Sequence, residues 1–511
     1  EYNGNPLVNA MCVGLVDPER MMSAKASGAG NLLMIVGAET GRDGIHGASG
    51  LASRSFEAEE RELRSAVQVG NPFMEKLLLE ACLELVQTDW LVGLQDLGAA
   101  GLTSAAVECA DKGGVGIDVD VLLVPRRAKG MTAYDVMLSE SQERMLAVVR
   151  KGCEEQVAGV FAKWDLTSAV IGRVIDEPVA RIREGDAVVA DVPVDLLTDP
   201  PLYRRAGVPS DEVRALQEYD LAALPDRPPG GLGLNDALLR LLASPNIASK
   251  RSVYRQYDHQ VLTNTVEGPG GAAAVLRIKG TAKGIALTTD GNGRLCYLNP
   301  HDGGAIVVAE AARNVVCAGA RPVALTDCLN FGNPERPEVY YQLEACIAGM
   351  SAACRALGVP VISGNVSLFN ETAGKAIYPT PIVGMLGLLS EIEWHRTLGF
   401  KHSGDEVILL GADLSLPACA AADNLGGSEY LAALHGLVVG NPTIDLDLEV
   451  RVQRLCTELI EAGVIESAHD CSDGGLVVTL AECCVAEKVG FAAAAALGSP
   501  GRVDTLLFGE A

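Results

Sequence analysis

Four short segments bring together residue types that could handle phosphate, a hard cation or an amide-bearing ligand. In LQDLGAAGLTSAAVECA an apolar run ends on Asp96, and small residues lead into a helix expected to start near Leu102. A carboxylate beside the free NH groups of a helix start suits Mg2+ bridging phosphate oxygens, and it equally suits an aspartate that caps its own turn. In ISGNVSLFNET, Ser363, Gly364, Asn365, Val366 and Ser367 follow an expected strand at Val359 to Ile362. Glycine lets backbone approach a ligand, Asn offers a carbonyl oxygen to a hard cation, and Ser offers a hydroxyl. A polar strand-to-loop turn would have the same composition. In ALTDCLNFGNPE, Asp327 ends a strand one helix earlier than Asn365, so the two could sit at neighbouring strand ends; a solvated loop aspartate is the plainer reading. In MLSESQERML, Glu140, Ser141, Gln142 and Glu143 suit an amide or a hydroxyl-rich ligand, or an exposed polar turn.

Gln68 in SAVQVGNP and the Arg42-Asp43 pair in GRDGIHGAS are similar loop polars. His46, His301 and His469 lie in Gly-rich or turn-like segments, and no two have metal-ligand spacing. Without an HExxH, GxSxG or Walker A pattern, zinc proteases, hydrolase triads and P-loop NTPases lose support.

The elements that must position these residues alternate strands with helices, which predicts a mixed α/β, α+β architecture. A helix is expected from Tyr340 to Leu357, closed by Gly358, and another from Asn235 to Ala243. The Asn292-Gly293 pair in GIALTTDGNGRLCYLN reads as a hairpin turn between two strands. The apolar runs NLLMIVGA and EVILLGA, preceded by Ser27-Gly28 and Ser403-Gly404, each read as a strand opening a domain.

The sequence also repeats itself. Asp96 aligns with Asp470, Gly101 with Gly475, Leu102 with Leu476 and Glu108 with Glu482, all at an offset of 374. Gly70-Asn71-Pro72 matches Gly440-Asn441-Pro442 and Glu140 matches Glu510, both at 370, and Gly14 matches Gly387 at 373. A collinear series at nearly constant offset means two diverged copies of one long unit. The same offsets predict that about 124 residues of the first copy lie upstream of Glu1, itself not a Met, and about 64 of the second beyond Ala511. The expected domains are a tail at 1–27, a domain at 28–198, a Pro- and Gly-rich connector at 199–257, and domains at 258–402 and 403–511.

Over 511 residues, 48% are hydrophobic and 21% charged, as in ordinary globular proteins. A net charge of −25 argues against a nucleic-acid or anionic-membrane surface, which needs clustered cations. A phosphorylated ligand would be held locally, by backbone NH groups or Mg2+. Fourteen scattered cysteines without a CxxC pair predict reduced thiols and a cytoplasmic location. No apolar run approaches the roughly 18 residues of a membrane span, and residues 1–12 lack a signal-peptide pattern.

Taken together, GRDGIHGAS, RSAVQVGNPFMEKLLLEACLEL, QDLGAAGL, LSESQERM, LLASPNIASKRSVYRQYDHQV, ALTDCLNFGNPE, VISGNVSLFNET, LGGSEYL and LFGE closely resemble the synthetase subunits of phosphoribosylformylglycinamidine synthases, over essentially the whole chain. The resemblance implies a duplicated pair of the domains found in aminoimidazole ribonucleotide synthetase. Each copy would hold an N-terminal domain whose sheet helps build a barrel-like core, and a C-terminal α/β domain. The implied reaction converts formylglycinamide ribonucleotide, ATP and glutamine-derived ammonia to the formylglycinamidine, through an iminophosphate. Carried over residue by residue, it makes Asp96 and Asn365 Mg2+ ligands, Asp327 and Gly364 ATP contacts, and Gln68, Glu140, Ser141, Gln142 and Ser367 substrate contacts, with both copies serving one active site. It further implies a glutaminase subunit and a small bridging subunit as partners.

The family's catalytic histidine and an Arg-Asp pair fall upstream of Glu1, so this stretch alone is expected not to turn over. In the second copy the corresponding stretch, YLNPHDGGA, keeps His301 but not the full motif. Rival readings are a single-copy ATP-dependent relative, such as a selenophosphate or thiamine-phosphate kinase type, which the duplication disfavours, and a non-catalytic binding subunit of the same complex.

Overall fold

A computed structural model describes residues 2–45, 68–411, 421–492 and 502–510, so His46 lies outside the described residues. The chain divides into two compact units, Cys12–Arg204 and, with Glu1–Met11, Arg205–Ala511. Each has a mixed sheet covered by helices, in line with the expected α+β architecture.

In the Cys12–Arg204 unit the elements run β1 (Leu32–Gly37), α1 (Pro72–Leu85), β2 (Leu91–Asp96), α2 (Gly101–Gly113), β3 (Gly116–Asp120), α3 (Ala133–Leu138), β4 (Arg144–Val149), α4 (Glu154–Lys163), β5 (Thr167–Ile175), β6 (Val179–Glu184), β7 (Ala187–Pro193) and α5 (Val194–Thr198). The sheet order is β2-β4-β1-β5-β3-β6-β7, antiparallel except for β3–β6. Side chains alternate faces along a strand, and β1 shows the result. Leu33 and Ile35 join a core with Leu102, Ala105 and Ala106 of α2, while Met34 and Val36 join another with Leu78, Ala81 and Leu85 of α1 and Phe161 of α4. Both faces of β1 are therefore covered, which explains why NLLMIVGA is continuously apolar. Each fully buried leucine contributes roughly 1.5–3 kcal/mol.

The second unit continues with α6 (Asp211–Gln217), α7 (Leu234–Leu242), α8 (Arg251–Tyr254), β8 (Thr265–Glu267), β9 (Ala274–Arg277), β10 (Gly284–Asp290), α9 (Gly293–Leu298), α10 (Pro300–Cys317), β11 (Arg321–Asn330), α11 (Pro337–Leu357), β12 (Val361–Ser367), the two-residue strands β13 (Glu371–Thr372) and β14 (Lys375–Ala376), β15 (Thr380–Leu389), α12 (Leu446–Glu461), α13 (Gly475–Glu487) and α14 (Val503–Phe508). Its sheet runs β12-β11-β15-β10-β9-β8, with β11–β12 parallel. Helices α10 and α11 lay Ala305, Val308, Ala312, Cys346, Met350 and Ala353 into one core with Val383 and Met385 of β15. A second cluster gathers α7, α13 and α14 around Tyr430, stacked on Phe508 at 4.8 Å.

Four local expectations are corrected. Asn292-Gly293 is not a hairpin turn: Asn292 caps α9, its Oδ1 accepting from Leu295 N at 3.2 Å. The same short side-chain acceptor serves turns and helix starts, so residue type cannot separate them. Strand β11 does not end at Asp327 but runs on to Asn330, and the following strand runs Val361–Ser367 rather than Val359 to Ile362. Parallel pairing with β11 keeps the polar Ser-Gly-Asn-Val-Ser run extended, because β12 is an exposed edge with no apolar pattern to satisfy. Residues 405–411 form no strand; their first-copy counterpart β1 is held between β4 and β5, and no strand lies beside 405–411 among the described residues.

Candidate functional site

Four of the residues singled out above meet in one corner of the Cys12–Arg204 unit. Gln68 Nε2 donates to Glu140 Oε2 at 2.6 Å, and Glu140 Oε1 accepts from Ala100 N at 3.0 Å. Gln142 Nε2 donates to the Glu140 carbonyl at 2.9 Å. Ser141 Oγ accepts from Gly41 N at 2.9 Å and donates to Asp43 Oδ2 in a short contact. Glu140 N donates to Asp43 O at 2.8 Å. Asp43 also pairs with Arg127, and Arg42 reaches Gly130 O at 2.5 Å. Gly41 and Asp43 thus clasp the SESQ loop while Arg42 is held by Lys129, Gly130 and Asp135, so neither residue of the Arg42-Asp43 pair is a free loop polar.

Helix α2 begins without a side-chain cap; its N-cap Ala100 has φ 57° and Gly101 φ 55°. The Glu140 carboxylate fills that role, placing negative charge where exposed NH groups and the helix dipole favour it. Asp96 stands exposed at the end of β2, in register with Met145, and its Oδ1 accepts from Gln95 Nε2 at 2.6 Å. A solvent-facing carboxylate with a neutral neighbour fits a hard divalent cation that takes its remaining oxygens from phosphate and water. No group of three or more His, Cys, Asp or Glu that could hold a metal occurs among the described residues.

In the second unit the parallel β11–β12 pairing sets Asp327 opposite Gly364, Cys328 opposite Asn365 and Asn330 opposite Ser367. A Cβ on Gly364 would lie 2.3 Å from Asp327 Oδ1, so glycine is what lets the carboxylate lie across the neighbouring strand. Burial raises the Asp327 pKa. Cys328 Sγ donates to Asn365 Oδ1 at 2.7 Å, and Ser363 Oγ to Thr326 Oγ1 at 2.7 Å. Ser367 is turned to Asn370, whose Nδ2 donates to the Ser367 carbonyl at 2.9 Å. Asp327, Gly364, Asn365 and Ser367 therefore share one strand pair, with Gly364 and Asn365 open to solvent.

Residue type alone did not single out a third assembly, in the second copy. Glu510 Oε1 accepts from Gly474 N at 2.6 Å and Glu429 N at 2.8 Å, and Arg294 pairs with Glu429 at 2.6 Å. His469 Nε2 lies 2.9 Å from Glu482 Oε2, and its Nδ1 lies 3.2 Å from Asp470 Oδ1. Arg313 holds Glu449 at 2.8 Å and lies 3.9 Å from Asp470 Oδ2. Asn314 donates to Asp290 at 3.1 Å. Burial, then the charges of Asp470 and Asp473, pushes Asp290 up to about 8. Burial works against a charged His469, yet its bonds to Asp470 and Glu482 hold it up to about 9. The repeat offsets, which pair Asp96 with Asp470 and Glu140 with Glu510, carried the signal for this assembly.

Comparison with known proteins gives a consistent picture. Models for AIR synthase related proteins match this chain, the C-terminal domain at residues 28–184 and again at 402–505, and the N-terminal domain at 270–389. The phosphoribosylformylglycinamidine synthase subunit PurL of Thermomicrobium roseum is 54% identical over the full chain, which spans 68% of that relative. Thermotoga maritima PurL complexed with FGAR is 32% identical, with a TM-score of 0.69 over 91% of this chain and 67% of that one. The same protein complexed with ATP gives 34% and 0.59 over 75% of this chain and 57% of that one. The PurLQS structure from Thermotoga maritima gives 34% and 0.61 at the same coverage.

Proposed function

Since this chain belongs to the phosphoribosylformylglycinamidine synthase PurL family, an ATP-using ligase family of purine biosynthesis, we propose that it carries the binding groups for converting formylglycinamide ribonucleotide to the amidine. The observation that supports this most directly is the gathering of Gln68 and Gln142, both bonded to Glu140, with Ser141, which Gly41 holds beside them. A carboxylate, a hydroxyl and two carboxamides in one corner offer the paired donors and acceptors that an amide and ribose hydroxyls need.

In this reading the substrate amide oxygen attacks the γ-phosphorus of ATP and ADP leaves, making an iminophosphate. Ammonia then adds to the activated carbon, gives up protons to base, and phosphate departs with the former amide oxygen. Gln68, Glu140, Ser141, Gln142 and Ser367 orient the substrate, and Asp327 with Gly364 contacts ATP. Asp96 and Asn365 would hold Mg2+, which neutralises phosphate charge as it moves. Likeness to the Thermotoga maritima PurLQS structure supports a multi-subunit setting, in which a glutaminase supplies ammonia through a small bridging subunit.

The test is ammonia-dependent phosphate release with ATP, Mg2+ and formylglycinamide ribonucleotide, using the protein at the full length of its relatives, with Asp96→Ala alongside. The reading expects turnover by the unsubstituted protein and a loss of about 100-fold or more in the variant, the scale for removing a group that stabilises transferring phosphate. An active variant would remove Asp96 from the metal site. A silent unsubstituted protein would hand the case to the non-catalytic binding subunit.

A further inference from the structure

Arg144 opens β4 at the foot of the SESQ loop and is only 3% exposed. Its guanidinium donates from Nε to Ser141 O at 2.8 Å, from Nη2 to Ser139 O at 2.6 Å, and from Nη1 to Thr40 Oγ1 at 2.9 Å. All three acceptors are neutral. Asp43, whose charge Arg144 feels, is bonded instead to Arg127 and the Ser141 hydroxyl.

A buried cation spent on neutral acceptors is a costly way to fill a core, since an apolar side chain of similar volume avoids the desolvation. What the guanidinium supplies is geometric. Ser139, Glu140 and Ser141 are all buried, so their main-chain carbonyls need donors, and the loop leaves the regular ladder at Glu143, with φ 57°. The 41–43 segment supplies bonds on one side of the loop, through Gly41 N to Ser141 Oγ, Ser139 Oγ to Gly41 O at 2.6 Å, and Glu140 N to Asp43 O. Arg144 supplies the other side and, through Thr40, ties the two segments together.

We propose that Arg144 is a positioning residue for substrate recognition: it locks the carbonyls on either side of Glu140, so that Glu140, Ser141 and Gln142 present their polar groups in one fixed arrangement. This deepens the function proposed above and rests on its reading of that loop as the substrate contact. The planar fork is essential, because a lysine ammonium is a single point that cannot span Ser139 O, Ser141 O and Thr40 Oγ1 together.

The experiment uses the full-length protein carrying Arg144→Lys and, as a milder change that leaves the cation in place, Thr40→Val. Three quantities are measured: KM for formylglycinamide ribonucleotide and for ATP with kcat, the melting temperature, and amide hydrogen exchange across residues 139–143. Arg144→Lys should raise KM for the ribonucleotide at least tenfold, leave KM for ATP within twofold, and speed exchange of those amides at least tenfold. Thr40→Val should move the same quantities in the same direction by about threefold. A lower melting temperature with an unchanged ribonucleotide KM, or equal changes in both KM values, would overturn the positioning role. If the unsubstituted protein does not turn over, the substrate reading itself has failed. In that case unaltered exchange at 139–143 in Arg144→Lys still overturns the positioning role.

Discussion

Helix α2 contains a natural controlled experiment in its two flanking glycines. Gly101 at its start and Gly114 at its end both have left-handed backbone, φ 55° and 64°. A Cβ on Gly114 would meet nothing within 4 Å, whereas one on Gly101 would lie 1.9 Å from Ser139 O. Gly114→Ala therefore isolates conformational strain, about 1–2 kcal/mol for a non-glycine residue in this region, reduced by up to about 1 kcal/mol because alanine also stiffens the unfolded chain. Gly101→Ala carries the same strain plus forced displacement of the Ser139 carbonyl, worth roughly 1–3 kcal/mol more as overpacking. At about 2–4 °C per kcal/mol for a domain of this size, calorimetry should show Gly114→Ala melting a few degrees low and Gly101→Ala roughly 2–12 °C lower still. The displaced carbonyl also accepts from Arg144 and adjoins Glu140, so Gly101→Ala should speed amide exchange at 139–143 while Gly114→Ala should not. Equal melting temperatures for the two variants would refute the claim that close approach, rather than backbone angle, fixes glycine at position 101.

Two further outcomes follow from single side chains. Asp290, pushed up to about 8 from an ordinary 3.8, keeps a proton in the folded state that the unfolded chain has already lost. Its stabilising contribution is therefore complete below about pH 4 and disappears as pH rises through 8. Asp290→Asn, neutral throughout, should gain melting temperature over the parent at pH 8 by more than at pH 5, and a pH-independent difference would contradict this. Asn71 caps α1 by accepting from Met74 N at 3.2 Å, so Asn71→Ala should cost about 1 kcal/mol and lower the melting temperature by about 2–4 °C, with no change counting against the cap.

The sequence made some features legible and hid others for identifiable reasons. Helix ends with strong local chemistry were readable: α2 begins at Gly101 where Leu102 was expected, and α11 stops at Leu357, closed by Gly358 with φ 70°. The run 405–411 looked like β1 because hydrophobicity reports burial, while a strand also needs a partner to bond. The run 363–367 looked like a loop because an edge strand exposes its residues and loses the alternation that marks a half-buried one. Among candidate site residues, types and order were visible, but not the pairing of Gln68 with Glu140 across 72 positions. Arg144 could not be identified at all, since an arginine after Glu143 reads as a surface charge until the fold buries it.

The two copies show which part of the design duplication preserved. Ala100 and Gly474, 374 positions apart, are both left-handed N-caps, and each donates its NH to the Oε1 of the glutamate that the repeat pairs, Glu140 or Glu510. Gly101 and Gly475 follow with positive φ, and in each a Cβ would strike the backbone just before that glutamate. The main-chain cradle is thus the same. The carboxylates beside it have opposite surroundings. Asp96 is exposed beside a neutral glutamine, while Asp470 is buried, and although burial opposes its charge, the His469 bond and the charge of Arg313 hold its pKa below the usual range. Position in the repeat therefore identifies where a carboxylate stands, and its neighbours decide what it does. In the first copy Asp96 stays open to solvent, whereas in the second Asp470 is already matched by cations of the chain itself.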